Sequence, residues 1–236
     1  MNIFIKFRSV TIIVALFLFV LPQSIPKAQQ ASNVDINLVL AVDCSYSVNV
    51  QEYALQMAGM AAAFINPVIV QAIENGAYGA IGVTVVQWSH RDSQIIVVPW
   101  TRVSNAQEAL ILAAMIARTQ RQTSKGATSI SAMLNFAQRQ IDASPFQATR
   151  NVIDVVADGE NNDGERVELV RDRVTARGTT INSLAIQNEV SYLFYYMQNR
   201  VIGGNYAFVE RAASYRDFAR AIYRKLLREI QNVPVS

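Results

Sequence analysis

The chain has 236 residues, 51% hydrophobic and 17% charged, a balance that excludes a disordered or collagen-like protein and suffices for one substantial core. Its formal net charge of +3 sits in the leader: residues 1–28 carry Lys6, Arg8 and Lys27 and no acidic side chain, and without them Lys+Arg falls from 21 to 18, equal to the 18 Asp+Glu. A neutral remainder gives no electrostatic footprint for nucleic acid, so none is expected as a partner.

The leader has the parts of an export signal: Lys6 and Arg8, an apolar run from Val10 to Leu21, then Pro22 and small or polar residues. A membrane-spanning helix needs roughly 20 apolar residues, more than this run offers, so residues 1–28 read as a signal peptide cut near 28–31, with residues 33–236 as the mature domain. Pro26 and Gln29 stand where a small residue would mark each cut, which keeps an uncleaved anchor as the alternative. The mature domain is expected outside the cytoplasm, periplasmic or secreted, with no stable membrane span. Cys44 is the only cysteine, so the fold has no internal disulfide.

Ile36–Val42 is an unbroken apolar run ending at Asp43, as in a strand buried on both faces. Gln51–Ile65 has helix formers with Tyr53, Met57, Met60, Ala61 and Phe64 at helical spacing, and a short helix follows over Pro67–Glu74. Tyr78–Trp88 is a second strand, parallel to the first because a helix separates them; Gln94–Val98 follows too closely to be anything but antiparallel. Helices over Asn105–Arg118 and Ser129–Ile141 carry the chain up and back down, so Arg150–Ala157 re-enters parallel. A helix over Arg166–Ala176 with Gly178 as its cap, a strand Thr180–Ile186, a helix Tyr192–Val201, a short strand Ala207–Val209 and a last helix Tyr215–Ile230 complete the pattern. This is an α/β fold: a doubly wound, mostly parallel sheet with one antiparallel edge strand and helices on both faces.

In such sheets ligands bind beyond the carboxyl ends of the strands, where strand order reverses. Topology places Asp43, Thr128 and Asp158 at that edge, with Asp43-Cys44-Ser45-Tyr46-Ser47, Gly126-Ala127-Thr128 and Asp158-Gly159. The set D-x-S-x-S, a later Thr and a later Asp-Gly resembles the metal-ion-dependent adhesion site of von Willebrand factor type A domains, over roughly Asp35–Ile230. The stretches Gln87-Trp88, Val98-Pro99-Trp100-Thr101, Val152-Ile153-Asp154-Val155 and Asp158 through Asn162 are similar to an uncharacterised family of exported bacterial proteins with that fold. The resemblance implies that Asp43, Ser45, Ser47, Thr128 and Asp158 hold a metal. The oxygen donors suit Mg²⁺, with Mn²⁺ or Ca²⁺ as alternatives, and an open position would take an acidic group of a protein or surface ligand. Tyr46, His90, Glu160, Asn162 and Asn188 are expected on the ligand-facing rim.

Other chemistries find less support. Alternation along the motif turns Cys44 into the core rather than toward a partner base. The single histidine, His90, leaves zinc sites and a Ser-His-Asp arrangement short of ligands. Asp158–Glu165 fails as an EF-hand because position six is Asp163 and Leu169 replaces the bidentate Glu. The expectation is a binding module rather than an enzyme. The alternatives are a metal-assisted hydrolase, whose base would come from Glu160, Asp163, His90 or Glu189, and an interaction domain with a vestigial metal site.

Overall fold

Why the chain turns back on itself is set by its first strand. In the computed structural model, which describes Met1 and residues 32–123 and 125–231, β1 (Asn33–Asp43) is almost wholly buried and pairs in parallel with β2 (Ile81–Trp88) on one side and β4 (Gln147–Ala157) on the other. β3 (Gln94–Val103) runs antiparallel beside β2, while β5 (Thr179–Ile186) and β6 (Val209–Ala212) extend the sheet in parallel beyond β4, giving the order β3-β2-β1-β4-β5-β6. Strand order reverses between β1 and β4, so the crevice between their carboxyl ends is the switch point. The leader and its cleavage site lie outside the described residues. Among those described, no single helix is long and apolar enough to cross a membrane.

Both faces of the sheet are covered. α1 (Val50–Phe64), α2 (Pro67–Glu74), α3 (Ala106–Ala117) and α7 (Phe218–Gln231) pack on the face that carries Leu38, Leu40, Val42, Val152 and Val156. α4 (Ile130–Asp142), α5 (Val167–Thr175) and the short α6 (Leu193–Tyr196) cover Val39, Ala41, Ile153 and Val155. The alternation along β1 and β4 is the pleat of a strand buried on both faces. Within residues 32–231 the described residues form one compact unit with its own core.

Several boundaries differ from the sequence expectation, each for a local reason. β2 starts at Ile81 rather than Tyr78 because the Asp35 carboxylate accepts from the backbone N–H groups of Tyr78 (3.0 Å) and Ala80 (3.3 Å), which holds the entry out of the ladder. β3 continues through Pro99 to Val103. It is an edge strand, and the register shift opposite Val83 and Val85 accommodates a residue that cannot donate. β6 begins at Val209 because the Phe208 N–H is held by Asn182 Oδ1 at 3.0 Å. The expected Tyr192–Val201 helix splits into α6 and a π-helical turn, Met197–Val201. The last helix starts with a 3-10 turn, Tyr215–Asp217. Gly178 sits at φ 81°, the left-handed cap expected of it.

Candidate metal centre

The motif loop is shaped from both ends. Asp43 closes β1, and its Oδ1 accepts from the Ser45 N–H at 2.7 Å, a turn that throws the chain back over the strand end. Asn49 then caps α1: its side chain accepts from the Glu52 N–H (3.0 Å) while the Glu52 carboxylate accepts from the Asn49 N–H (2.8 Å), satisfying two donors reciprocally. Between these anchors Tyr46 N–H donates to the Gly126 carbonyl at 2.9 Å, joining the motif to the loop that carries Thr128. Gly126 is required there, because a Cβ would lie 2.4 Å from His90 Cδ2.

Ser45, Ser47 and Asp158 are linked side chain to side chain, and Ser47, Thr128 and Asp158 share one cavity wall. Ser45 Oγ and Ser47 Oγ are 3.1 Å apart, and Ser47 Oγ donates to Asp158 Oδ1 at 2.6 Å. Thr128 Oγ1 lies 3.5 Å from where a Cβ on Gly159 would stand, so Asp158-Gly159 and Thr128 are in contact. Asp43, Ser45, Thr128 and Asp158 are buried. Asp43 Oδ2 is buried without a hydrogen-bond partner among the described residues, an expensive condition for a carboxylate oxygen. Burial, reinforced by the Asp158 charge, pushes the Asp43 carboxyl up to about 7, and the Ser45 hydrogen bonds and Arg121 only partly offset this.

Two buried carboxylates, two serine hydroxyls and a threonine hydroxyl around an orphaned oxygen fit a hard divalent cation. Among the described residues no three His, Cys, Asp or Glu side chains group to hold a metal, so a thiolate or imidazole site is unsupported and the fit rests on the hydroxyls.

Two groups that the sequence reading did not single out brace this centre. The Tyr215 hydroxyl, on the 3-10 turn before α7, donates to Asp158 Oδ2 at 2.9 Å, and burial beside Asp158 raises its pKa. Arg121 donates to the carbonyls of Val48 (2.7 Å), Ser45 (3.0 Å) and Cys44, so its guanidinium fastens the back of the motif loop. The expected placement of Thr128 at this edge, in the loop after the Asn105–Arg118 helix, was the one available signal for Arg121; nothing in the spacing of Tyr215 pointed to Asp158.

Above the centre is a cavity of about 460 Å³ whose lining includes Ser47, Thr128 and Asp158, with Tyr46, Glu160, Asn162, Glu189 and Tyr192 around it. Glu160 hydrogen-bonds the Tyr192 phenol and raises its pKa. Asn162 also works inward: its Oδ1 accepts from Thr128 N–H at 2.8 Å, and its own N–H donates to the Thr128 carbonyl at 2.9 Å. Two expected rim residues do not line this cavity. His90 packs on Gly126, and its Nδ1 accepts from Asp92 N–H at 3.3 Å within the β2–β3 turn. Asn188 faces a separate depression, 3.4 Å from Glu52 Oε1. Asp163, weighed as a base, is held by Arg91, whose side chain and backbone donate to it and lower its pKa. Cys44 is buried in the α1-side core and its thiol is pushed up to about 12 by desolvation, consistent with packing rather than reactivity.

A switch-point crevice with this layout is a von Willebrand factor A-like fold, and solved structures share it. Proximal thread matrix protein 1 of the mussel byssus, in a form whose metal-ion-dependent adhesion motif holds zinc, is 18% identical with a TM-score of 0.60, over 85% of this chain and 48% of that one. The von Willebrand domain of a type V pilus tip protein of Porphyromonas gingivalis is 10% identical (TM-score 0.53; 87% and 99% covered), and manganese-loaded TRAP protein of Plasmodium vivax is 15% identical (TM-score 0.53; 85% and 75% covered). The chain thus spans about half of the mussel protein's length. No curated protein matches the sequence. Residues 33–234 match the model of a family described as protein of unknown function (DUF1194), and the chain belongs to that family.

Proposed function

We propose that this chain is an exported binding module that captures an acidic group of a protein or surface ligand through a divalent cation, Mg²⁺ by preference. The observation that carries the reading is the convergence of Ser45, Ser47, Thr128, Asp43 and Asp158 beneath an open cavity, with Asp43 Oδ2 left without a partner. Neutral hydroxyls leave most of a bound ion's charge uncompensated, so an exposed coordination position attracts a carboxylate. Ser45 and Ser47 would ligate the ion. Asp43 and Asp158 would orient the hydroxyls from behind the ion, while Thr128 would close the site from the facing loop. The metals named for the mussel and Plasmodium proteins, zinc and manganese, support a divalent ion in this fold.

The cavity offers little for catalysis. Glu160 and Glu189 are the carboxylates lining it besides Asp158, and Glu160 is engaged by Tyr192. An array of peptides ending in Asp or Glu, probed with the protein in Mg²⁺ and in EDTA, tests the reading. Binding is expected to need both the ion and a free carboxylate; equal capture of amide-capped peptides ending in Asn or Gln, or capture in EDTA, contradicts it. Export is tested by the mass of the protein recovered outside the cytoplasm, which should begin near residues 29–32.

A further inference from the structure

α1 leaves the metal edge at Asn49, and α3 returns to it, since Tyr53 donates to the Thr119 carbonyl and Arg121 reaches the motif loop. The two helices lie side by side and antiparallel. Their outward faces are apolar. On α3, Leu110 is 53% and Ile111 49% exposed, and Ala117, seven residues after Leu110, comes back to the same side of the helix. On α1, Val50 (68% exposed), Ala54 and Ala58 follow at fourth-residue spacing. Between the start of α1 and the end of α3 is a groove of about 380 Å³, with Val50, Ala54, Met57 and Ala58 on one wall and Ala117 and Arg121 on the other. A cavity of about 150 Å³ holds a benzene ring, so this groove has room for two branched aliphatic side chains. Leu110 stands about 10 Å down α3 from Ala117. One face therefore carries both a protruding apolar pair and a hole that fits such a pair.

Charge is kept off that face. α1 and α3 each carry a single charged side chain, Glu52 and Glu108, and no Lys or Arg. Each stands two residues before a face residue, Ala54 or Leu110, and so about 160° around its helix. Each is also engaged at its helix N-terminus, where Glu52 accepts from the Asn49 N–H and Glu108 from the Ser104 N–H. Arg121 is committed to the motif-loop carbonyls, and Arg118 stands at the rim as the C-cap of α3.

We propose that this face is a homodimer interface, in which a two-fold axis sets Leu110 and Ile111 of each copy into the groove of the other. An isologous contact brings a surface against itself, so it needs knob and hole on one face and no net charge between them; this face has both properties. An anionic lipid surface would instead ask for Lys or Arg flanking the apolar residues, where these helices carry only Glu. Helices about 18 and 22 Å long, packed about 10 Å apart, present a face roughly 20 Å square, or about 400 Å², a size at which an apolar patch on a monomer is commonly functional. That is small for a specific interface, so the dimer is expected to be weak. To exchange Leu110 for the groove, the axis must lie in the interface and across the helices, so the two metal edges point in opposite directions. Resting on the reading of that edge as a ligand site, the dimer would bridge two acidic ligands.

Sedimentation equilibrium of residues 31–236 in EDTA tests the interface apart from the metal. The mass is expected to rise from one chain toward two between about 1 and about 500 µM. Leu110→Glu and Ala54→Lys, both at exposed positions, should each stay monomeric across that range with the parent's melting temperature, whereas Leu169→Glu, exposed on α5, should dimerise like the parent. Mixing the Leu110→Glu and Ala54→Lys proteins should restore a dimer, because the mixed pair keeps one intact knob-and-groove contact and sets opposite charges in the other. The double substitution Ser45→Ala, Ser47→Ala should dimerise like the parent, so a failed metal site and a failed interface give different results. A parent protein that is monomeric at about 500 µM, whether or not it binds vesicles of anionic lipid, would overturn the proposal. So would a dimer indifferent to Leu110→Glu, or a mixture that stays monomeric.

Discussion

Asp158 divides its two carboxylate oxygens between neighbours from opposite ends of the chain: Oδ1 accepts from Ser47 of the motif loop and Oδ2 from Tyr215 at the foot of the last helix. Each contact fixes the carboxylate beside the hydroxyls. A hydrogen bond to a charged acceptor contributes about 1.5–3 kcal/mol, so Tyr215→Phe should destabilise the domain by about that amount, read as a fall in the urea midpoint at constant slope. An unchanged midpoint would mean that the phenol does not hold Asp158. At this scale the five residues brought to one strand edge stand out in the sequence because their types and order are distinctive. His90 and Asn188 do not line the cavity, because a strand end says where the backbone arrives and not which way a turn residue faces. Tyr215 was invisible because its contact with Asp158 spans 57 residues and depends on how α7 packs.

The elements explain why the site is rigid. The motif loop lies between the Asp43 turn and the Asn49 cap, and Arg121, from the loop after α3, donates to three of its carbonyls. Arg121→Ala should leave those carbonyls without their cation, costing about 2–3 kcal/mol, and should speed hydrogen exchange of the loop amides from Ser45 to Val48. Unaltered exchange there would show that the loop holds itself. Strand identity, direction and the placement of both aspartates at one edge were legible from apolar runs and connection lengths. Boundaries were not, because side chains decided them: Asp35 takes the amides ahead of β2, and Asn182 takes the Phe208 N–H ahead of β6.

Across the whole molecule, two clusters of buried charge lie at opposite edges of one sheet, and each leaves a signature in stability. Burial and the nearby Glu229 carboxylate raise the Asp154 carboxyl from 3.8 to about 7, since one ammonium, Lys225, serves two carboxylates. Between those values the native state holds a proton that the unfolded chain releases, so the contribution of this group to stability falls as pH rises from about 4 to about 7. Asp154→Asn should flatten that slope in chemical denaturation curves collected across the window; parallel slopes in the two proteins would contradict the assignment. At the other edge, the proposed binding depends on a metal. The most direct measurement is the melting temperature of residues 31–236 in EDTA and in Mg²⁺, Mn²⁺ or Ca²⁺, for the parent and for Ser45→Ala, Ser47→Ala. An ion present at about 100 times its dissociation constant stabilises the native state by about 2.7 kcal/mol, so a rise of several degrees is predicted for the parent and none for the variant. Equal melting temperatures with and without metal, or the same rise in both proteins, would contradict a cation held by these hydroxyls.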